Sequence, residues 1–157
     1  MTIGYEALSP IEFFGIVQRS KVSIIVDLRE LPISRRVGFA KSALSSGLAE
    51  HGVGYTHMPA LGCPKEVRHS YREDGDWVRY TQAFKKYLET QLPALKELAE
   101  LTKIKRCCLL CYEEDYNFCH RKYVAERVVA VAKTTVRLFH LTGPIEGRVA
   151  RHELAAA

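Results

Sequence analysis

The chain has 157 residues, of which 47% are hydrophobic, 26% are charged and 10% are aromatic, so it can bury the core of a folded domain. This composition excludes a disordered, collagen-like or low-complexity protein. No apolar run approaches the roughly 18–20 residues of a membrane-spanning helix, and the amino terminus lacks the basic and apolar parts of a signal peptide. The sequence therefore predicts a single domain over residues 1–157, in the cytoplasm, with no membrane as a partner.

Lys and Arg total 23 against 18 Asp and Glu, which gives a net charge of +5 at pH 7. This charge permits an anionic partner, such as nucleic acid or an anionic small molecule, without requiring one. The cysteine count of five is odd, and Cys107, Cys108 and Cys111 lie in one apolar segment. The pattern differs from that of a disulfide-bonded secreted domain and favours reduced thiols.

Predicted strands and helices alternate along the first part of the chain. Residues 2–5 form a weak strand candidate, and residues 9–12, Ser-Pro-Ile-Glu, carry the N-cap, first-turn proline and capping-box acid of a helix start. The β-branched run at residues 21–27 predicts a buried strand. A helix over residues 41–51 and a second weak strand over residues 54–57 follow it.

The second part of the chain begins with a charged segment, residues 61–79, for which we predict a long irregular loop. The elements predicted after it are a helical stretch over residues 84–101 that Pro93 breaks or kinks, a strand over 105–111, a helix from Cys119 to about 133 and a strand over 135–140. This alternation predicts a three-layer α/β/α fold with a mostly parallel central sheet, which is Rossmann-like.

Polar side chains follow two of the predicted strands where each strand ends. Asp27 and Arg29 end the second strand, and Cys111 and Glu113 end the fourth. Ligands of open α/β sheets bind beyond the carboxyl ends of the strands, so we expect these groups to share one cleft. Asp27 and Glu113 are candidate acid–base catalysts there. The simpler interpretation of Asp27 and Arg29 is an ion pair at the strand end.

The loop after the second strand is basic and contains Ser34 and Arg35. A guanidinium group and a hydroxyl suit the recognition of phosphate or carboxylate groups, so both residues, with Arg29, are candidate anion ligands. A solvated basic loop without a ligand explains the same residues.

The sharpest local motif is Cys119-His120-Arg121 at the start of the last predicted helix. The helix dipole stabilises a thiolate at this position, so Cys119 is a candidate nucleophile and His120 a candidate acid or base. Arg121 opposes the dipole, which suggests that it faces an anion. The alternative for His120 is a neutral histidine at the edge of the core.

A metal ion is also chemically plausible here. Cys111, Cys119 and His120 are suitable ligands for zinc or iron, and Cys63 is a possible fourth. However, the spacing lacks the paired Cys-x2-Cys knuckles of structural zinc sites. The sequence alone therefore favours a protein without a metal or other cofactor.

Seven short motifs in the same order resemble the family catalogued as domain of unknown function 488. They are Thr2-Ile3-Gly4-Tyr5, Asp27-Leu28-Arg29, Pro32-Ile33-Ser34-Arg35, Phe39, Leu61-Gly62, Leu110-Cys111-Tyr112-Glu113 and Cys119-His120-Arg121. The resemblance implies a compact α/β/α domain with a shared polar cleft, to which Tyr5 contributes as a further candidate ligand of a substrate or anion. It implies no particular reaction.

Three hypotheses of function follow from these residues. The first is an enzyme acting on a nucleotide, nucleic acid or other phosphorylated or anionic substrate, with Arg29, Arg35 and Arg121 binding the anion. The second is a non-catalytic nucleic-acid-binding module, in which aromatic side chains of residues 71–80 stack on bases. The third is a thiol redox or metal protein that uses Cys111 and Cys119.

Overall fold

A computed structural model describes residues 1–132, 137–143 and 150–152. Their strands form one six-stranded sheet in the order β3-β2-β4-β1-β5-β6. The strands are β1 (Thr2–Gly4), β2 (Ile24–Asp27), β3 (Gly54–His57), β4 (Cys107–Cys111), β5 (Leu138–Leu141) and β6 (Ala150–His152). Strands β1 to β5 run parallel to one another and β6 is antiparallel to β5. The predicted mostly parallel sheet is confirmed.

Helices cover both faces of this sheet. They are α1 (Pro10–Arg19), α2 (Lys41–Glu50), α3 (Lys65–Asp74), α4 (Trp77–Thr90), α5 (Leu92–Ile104) and α6 (His120–Ala132). The apolar side chains of α1 and α2 pack in one core, and those of α4, α5 and α6 pack in a second core with part of α3. The protein therefore has the three-layer α/β/α architecture that the alternation of elements predicted. None of the helices in the described part of the chain is long and apolar enough to cross a membrane.

Two helix starts follow from local sequence. The Ser9 hydroxyl accepts a hydrogen bond from the amide of Glu12 at 3.3 Å, and the Glu12 carboxylate accepts one from the amide of Ser9 at 2.7 Å. This reciprocal pair is the predicted capping box. Pro93 lies in the first turn of α5, which begins directly after Gln91 ends α4. A proline in a first turn costs no helical hydrogen bond, so the predicted break is confirmed.

The prediction of a long irregular loop over residues 61–79 is wrong. Helices α3 and α4 fill most of this segment. Helix α3 is strongly charged and buries no side chain completely; Val67 and Tyr71, one helical turn apart, pack against the core. Gly75 ends α3 with a φ of 66°, and Asp76 caps α4. Helix α3 has few apolar residues, so the segment resembles a solvated, charged loop when only its composition is considered.

The carboxyl-terminal part differs from the sequence prediction in two respects. Strand β5 begins at Leu138, and the first part of the strand predicted over residues 135–140 lies outside the described residues. Strand β6 has no counterpart among the predictions, because its three residues are too few to produce a hydrophobic period.

Alternation along the strands assigns side chains to the two cores. Val26 and Leu109 face the core with α4, α5 and α6, whereas Ile25 and Leu110 face the core with α1 and α2. The same alternation continues beyond the strand ends. It decides which polar side chains can meet at the carboxyl edge of the sheet.

Candidate functional site

Four polar side chains converge at the carboxyl end of β4, on the face of α4 and α6. They are Cys111, Glu113, Cys119 and His120, called the thiol cluster below. The Glu113 carboxylate oxygen Oε2 lies 2.9 Å from Cys111 Sγ and 3.0 Å from Cys119 Sγ. The His120 ring nitrogens lie 3.7 and 3.8 Å from Cys111 Sγ. Four of the predicted catalytic or metal-binding residues are therefore brought together.

The chain builds this cluster within one strand–loop–helix unit. Cys111 ends β4, and His120 begins α6. Between them the Asp115 carboxylate accepts a hydrogen bond from the amide of Asn117 at 2.8 Å, which fixes a 3₁₀ turn over Tyr116–Phe118. The turn brings Cys119 back beside the end of the strand, so that residues distant along an extended chain become neighbours.

Arg121 fastens the loop that carries Glu113. Its guanidinium group donates to the backbone carbonyl of Glu113 and to that of Glu114, the latter at 2.7 Å. The side chain is 1% exposed, and Nε has no hydrogen-bond partner among the described residues. A Cβ atom on Gly4 would collide with the Glu113 carbonyl, so only glycine lets β1 approach this loop. Arg121 thus positions the cluster, and its predicted role as an anion ligand stays a prediction.

Cys111 and Cys119, the two cysteines of the cluster, have pKa values that are shifted in opposite directions. Burial raises the pKa of Cys111 well above its usual value, and the adjacent Cys119 and Glu113 raise it further. Burial also opposes ionisation of Cys119. The hydrogen bond from Cys111 and the charges of His120 and Arg121 outweigh that effect and hold the pKa of Cys119 well below its usual value. Cys119 is therefore the thiolate of the pair.

The other two groups of the cluster favour their protonated forms. Burial, followed by the charge of Cys119, raises the pKa of Glu113 to about 7. Burial lowers the pKa of His120, but the hydrogen bond and charge of Cys119 raise it by more, so the net shift is upward. Sγ of Cys119 and Oε2 of Glu113 lie 3.0 Å apart, within hydrogen-bonding distance of each other.

A second cluster lies at the same edge of the sheet but on the opposite face. The Arg29 guanidinium donates to both Asp27 oxygens, at 2.8 and 2.5 Å, and to the Tyr5 hydroxyl at 2.8 Å. The Tyr55 hydroxyl donates to the same Asp27 carboxylate at 2.7 Å. Tyr5, Asp27, Arg29 and Tyr55 are called the ion-pair cluster below. Burial opposes the charge of Arg29, but the contact with Asp27 dominates and raises the pKa of the guanidinium.

The single cleft predicted from the sequence is therefore two clusters separated by the sheet. Side chains alternate along a strand, and β2 and β4 are paired with Asp27 opposite Leu110. Asp27 consequently points towards α1 and α2, while Cys111 points towards α4 and α6. The backbone of Leu28 connects the two clusters. Its amide donates to the Leu110 carbonyl at 3.0 Å, and its backbone also hydrogen-bonds to His120 of the thiol cluster.

The basic loop after β2 reaches the ion-pair cluster at Phe39, whose backbone carbonyl accepts a hydrogen bond from the Arg29 guanidinium at 2.8 Å. The Ser34 hydroxyl accepts a hydrogen bond from the amide of Arg36 at 3.1 Å. Arg36, which the sequence analysis did not select, donates to the backbone carbonyls of Glu6 and Leu8. Arg35 is exposed and has no hydrogen bond or ion pair with another part of the described chain. Of the predicted anion ligands, Arg35 is the one whose guanidinium group is free.

Aromatic side chains form the wall of the thiol cluster towards α4. Tyr80 is buried next to Cys119 and Glu113, and its ring stacks on Trp77 with centroids 4.7 Å apart. Phe118, which precedes Cys119, is 58% exposed and lies 5.4 Å from Trp77. Trp77 falls in the loop predicted over residues 61–79, but Trp77 and Tyr80 both lie on α4. Helical spacing from Trp77 to Tyr80 and Phe84 is the signal that could have placed them on α4.

Cys63 lies beside the cluster without joining its set of donors. Burial raises the pKa of the Cys63 thiol to about 12, and the thiol hydrogen-bonds to Tyr80 and, at 3.8 Å, to the Pro64 carbonyl. The cysteines are all free and buried. The fourth candidate ligand is therefore Glu113 instead of the Cys63 suggested by the sequence, because the Glu113 carboxylate contacts both sulfur atoms of the cluster.

The donor atoms of the thiol cluster are close enough together to hold one metal ion, since all lie within 4.8 Å of one another. Around a tetrahedral zinc ion, bonds of about 2.0–2.3 Å place neighbouring ligand atoms roughly 3.3–3.8 Å apart. The sulfur–nitrogen distances of 3.7 and 3.8 Å agree with this spacing, whereas the two sulfur–oxygen distances to Glu113, 2.9 and 3.0 Å, are shorter and would have to lengthen around an ion. Two thiols, an imidazole and a carboxylate are ligands that zinc and iron accept.

The fold and the site together define a three-layer α/β protein with a Cys-Glu-Cys-His cluster at the carboxyl edge of its sheet. A family described as domain of unknown function DUF488 matches residues 9–128. The chain belongs to this family, as its motifs indicated. No curated protein and no solved structure matches the chain.

Proposed function

We propose that the protein is a metal-dependent enzyme that acts on an anionic substrate at the thiol cluster. Cys111, Cys119 and His120 are the permanent ligands of a zinc or iron ion, and Glu113 is an exchangeable ligand and proton carrier. The observation that carries this proposal is the mutual distance of the four donor atoms, all within 4.8 Å. The remaining properties of the cluster support it in separate ways.

The acidity of the cluster supports metal binding. A metal ion binds the thiolate form of cysteine, and the lowered pKa of Cys119 favours that form. A cation would also compensate for the second thiolate, Cys111, whose ionisation burial opposes. The apo cluster is therefore poised to release one proton from a thiol and one from the Glu113 carboxyl when a cation enters.

Unequal exposure supports an exchangeable fourth position. Cys111, Cys119 and His120 are buried, whereas Glu113 is half-buried and reaches solvent. Catalytic zinc sites combine three protein ligands with a fourth position that opens to water or substrate. The bound ion would supply Lewis acidity and activate a water molecule. Glu113, with a pKa of about 7, can take up and return a proton near neutral pH.

Positive charge supports an anionic substrate, such as a nucleotide, a nucleic acid or another phosphorylated compound. The net charge is +5, and Arg35 is exposed without a partner in the described chain. Arg29 and Arg121 donate to protein oxygens and support the clusters from within. We therefore assign the first contact with an anion to Arg35. The reduced thiols fit a cytoplasmic location.

The first experiment measures metal content. The chain is purified without chelators and analysed by inductively coupled plasma mass spectrometry, and we expect about one zinc or iron ion per chain. Cys111→Ala and Cys119→Ala should lose the ion. Cys108→Ala is the matched control, because Cys108 is equally buried but faces the opposite core. A wild type that purifies without metal and binds no added zinc would contradict the proposal.

The second experiment separates catalysis from metal binding. Glu113→Gln keeps an oxygen ligand but cannot carry the proton, so it should retain the metal and lose turnover in a screen of nucleotides and sugar phosphates. If the wild type binds metal but turns over none of these compounds, the protein is a metal-binding protein and the proposed enzymatic activity is refuted.

One observation favours a second candidate, a metal-free enzyme with Cys119 as nucleophile. The pKa of Cys119 is lowered and His120 is its neighbour, which is the arrangement of an activated thiol. Cys119 is, however, only 1% exposed. Alkylation of the wild type by iodoacetamide, located by mass spectrometry, decides between the two. The metal proposal expects protection of Cys119 that a chelator removes, and the nucleophile proposal expects labelling without chelator.

A further inference from the structure

A cavity of about 510 Å³ lies at the amino ends of the strands, opposite the edge that carries the thiol cluster. It is bounded by the start of β1, by the residues that precede β4 and β5, and by the facing sides of α5 and α6. Pockets of about 300–1,000 Å³ hold small ligands in other proteins. Nothing in the proposed function uses this space.

The floor of the cavity is apolar. Leu109 and Leu138, from two strands of the sheet, and Val128, from α6, line it and are otherwise buried. Phe139 is half-buried on the same wall. An apolar ligand segment that covered this surface would be stabilised by the apolar area removed from water.

The rim of the cavity is positively charged. Lys105, Arg106 and Arg137 line it, and each is exposed. Within residues 1–132, 137–143 and 150–152, these three side chains form no ion pair, and no acidic residue lines the cavity. Lys103 is different, because it pairs with Glu100 at 2.7 Å. Three cations that converge on an apolar floor without a carboxylate are an arrangement for binding an anion.

We propose that this cavity binds an amphipathic anion, a molecule with an apolar chain or ring and a single carboxylate or phosphate group. The apolar part lies on Leu109, Val128 and Leu138, and the anionic group is held by Arg106 and Arg137. These two residues precede β4 and β5, the strands on either side of β1, so the anionic group would lie at the amino end of β1.

The cations near residue 105 have a competing explanation. They follow the carboxyl terminus of α5, where positive side chains interact favourably with the helix dipole. Arg137 is not part of that explanation, because it precedes β5 and lies far along the chain from α5. A variant that removes Arg137 therefore distinguishes a ligand site from helix stabilisation.

The experiment measures decanoate binding to the full chain by isothermal titration calorimetry. We expect saturable binding, and Arg106→Gln and Arg137→Gln should each weaken it about tenfold or more, since each removes a charged hydrogen bond to the ligand. Arg127→Gln is the matched control, because Arg127 is an exposed arginine on α6 that does not line the cavity. Its dissociation constant should equal that of the wild type. Equal affinity in all four proteins would overturn the proposal.

Two further ligands test the chemical class. Decyltrimethylammonium has the same apolar chain with the opposite charge and should not bind to this site. Inorganic phosphate has the charge without the chain and should bind far more weakly than decanoate or decyl phosphate. Binding of the ammonium compound with the affinity of decanoate would refute the role of the arginines, and phosphate binding equal to that of decyl phosphate would refute the role of the apolar floor.

Discussion

The backbone carbonyl of Glu113 lies in the space that a Cβ atom of Gly4 would need. This close approach joins the end of the central strand β1 to the loop that carries the thiol cluster. The Arg121 guanidinium completes the joint, since it donates to the same carbonyl. The position of the Glu113 carboxylate therefore depends on a glycine more than a hundred residues away.

The first prediction concerns this glycine. Gly4→Ala should lower the free energy of unfolding by about 1–3 kcal/mol, because the methyl group meets rigid backbone and forces β1 or the loop to move. It should also weaken metal binding, because the displaced loop carries Glu113. Gly15→Ala is the control. A Cβ atom there meets the flexible end of Arg19, and alanine raises helix propensity. Urea unfolding measures the stability of both variants, and an unchanged unfolding midpoint for Gly4→Ala would contradict the prediction.

The second prediction concerns Arg121. Arg121→Ala leaves two backbone carbonyls without their donor in a buried site, so it should destabilise the fold by about 2–4 kcal/mol. Arg121→Lys should restore only part of this, since one ammonium group cannot replace a planar fork with two donors. Arg127→Ala, on the exposed side of the same helix, should change the free energy of unfolding by less than about 0.5 kcal/mol. Equal unfolding midpoints for Arg121→Ala and Arg127→Ala would show that the two hydrogen bonds of the Arg121 guanidinium do not stabilise the fold.

The third prediction concerns the ion-pair cluster. Asp27→Asn removes the charge that Arg29 requires in a buried position, and it should cost about 3–5 kcal/mol of stability. The control is Glu30→Gln, which breaks the pair of Glu30 with Arg68. That pair is 35% exposed on each side, so its loss should cost at most about 1 kcal/mol. Similar losses from the two variants would mean that burial does not strengthen the Asp27 contact.

The fourth prediction is a pH dependence of the metal-free protein. The pKa of Glu113 rises from 4.5 to about 7 on folding, so the folded state binds the proton more tightly. The stability from this group is fully present below pH 4.5 and is lost as the pH rises to 7. Glu113→Gln cannot ionise and should lack this loss. Unfolding midpoints in the presence of a chelator, measured from pH 4.5 to pH 8 for both proteins, should therefore diverge as the pH rises. Parallel curves would contradict the prediction.

The order of elements could be read from the sequence because most of them carry a strong local signal. The capping box at Ser9, the β-branched run of β2 and the apolar run of β4 each predict one structure. Helix α3 lacks such a signal, since its side chains are mostly charged and its apolar contacts with the core come from two residues, Val67 and Tyr71. Tertiary packing therefore determines α3, and a single sequence does not contain that information.

The sequence predicted which residues lie at the candidate site, but not that they form two clusters on opposite faces of the sheet. Sequence placed Asp27 and Cys111 at one sheet edge, and the structure agrees. Whether Asp27 and Cys111 lie on the same face depends on the register between β2 and β4, since a shift of one strand by one residue moves each of its side chains to the opposite face of the sheet. Register is set by pairing between strands that lie about eighty residues apart in sequence. The role of Arg121 was missed for the same reason, because its acceptors are carbonyls placed by tertiary structure.

All four donors of the thiol cluster fall within residues 111–120, although β1 and α4 complete their surroundings. Closing such a short loop costs little entropy, and the cost grows only slowly with loop length. If the cluster binds a metal ion as proposed, the strand–loop–helix segment would carry every ligand before the rest of the chain has folded. An ion bound at that stage would join β4 to α6 and so act as a nucleus around which the sheet assembles. In a cell, metal supply would then influence how fast the newly made chain folds, in addition to what the finished protein can do.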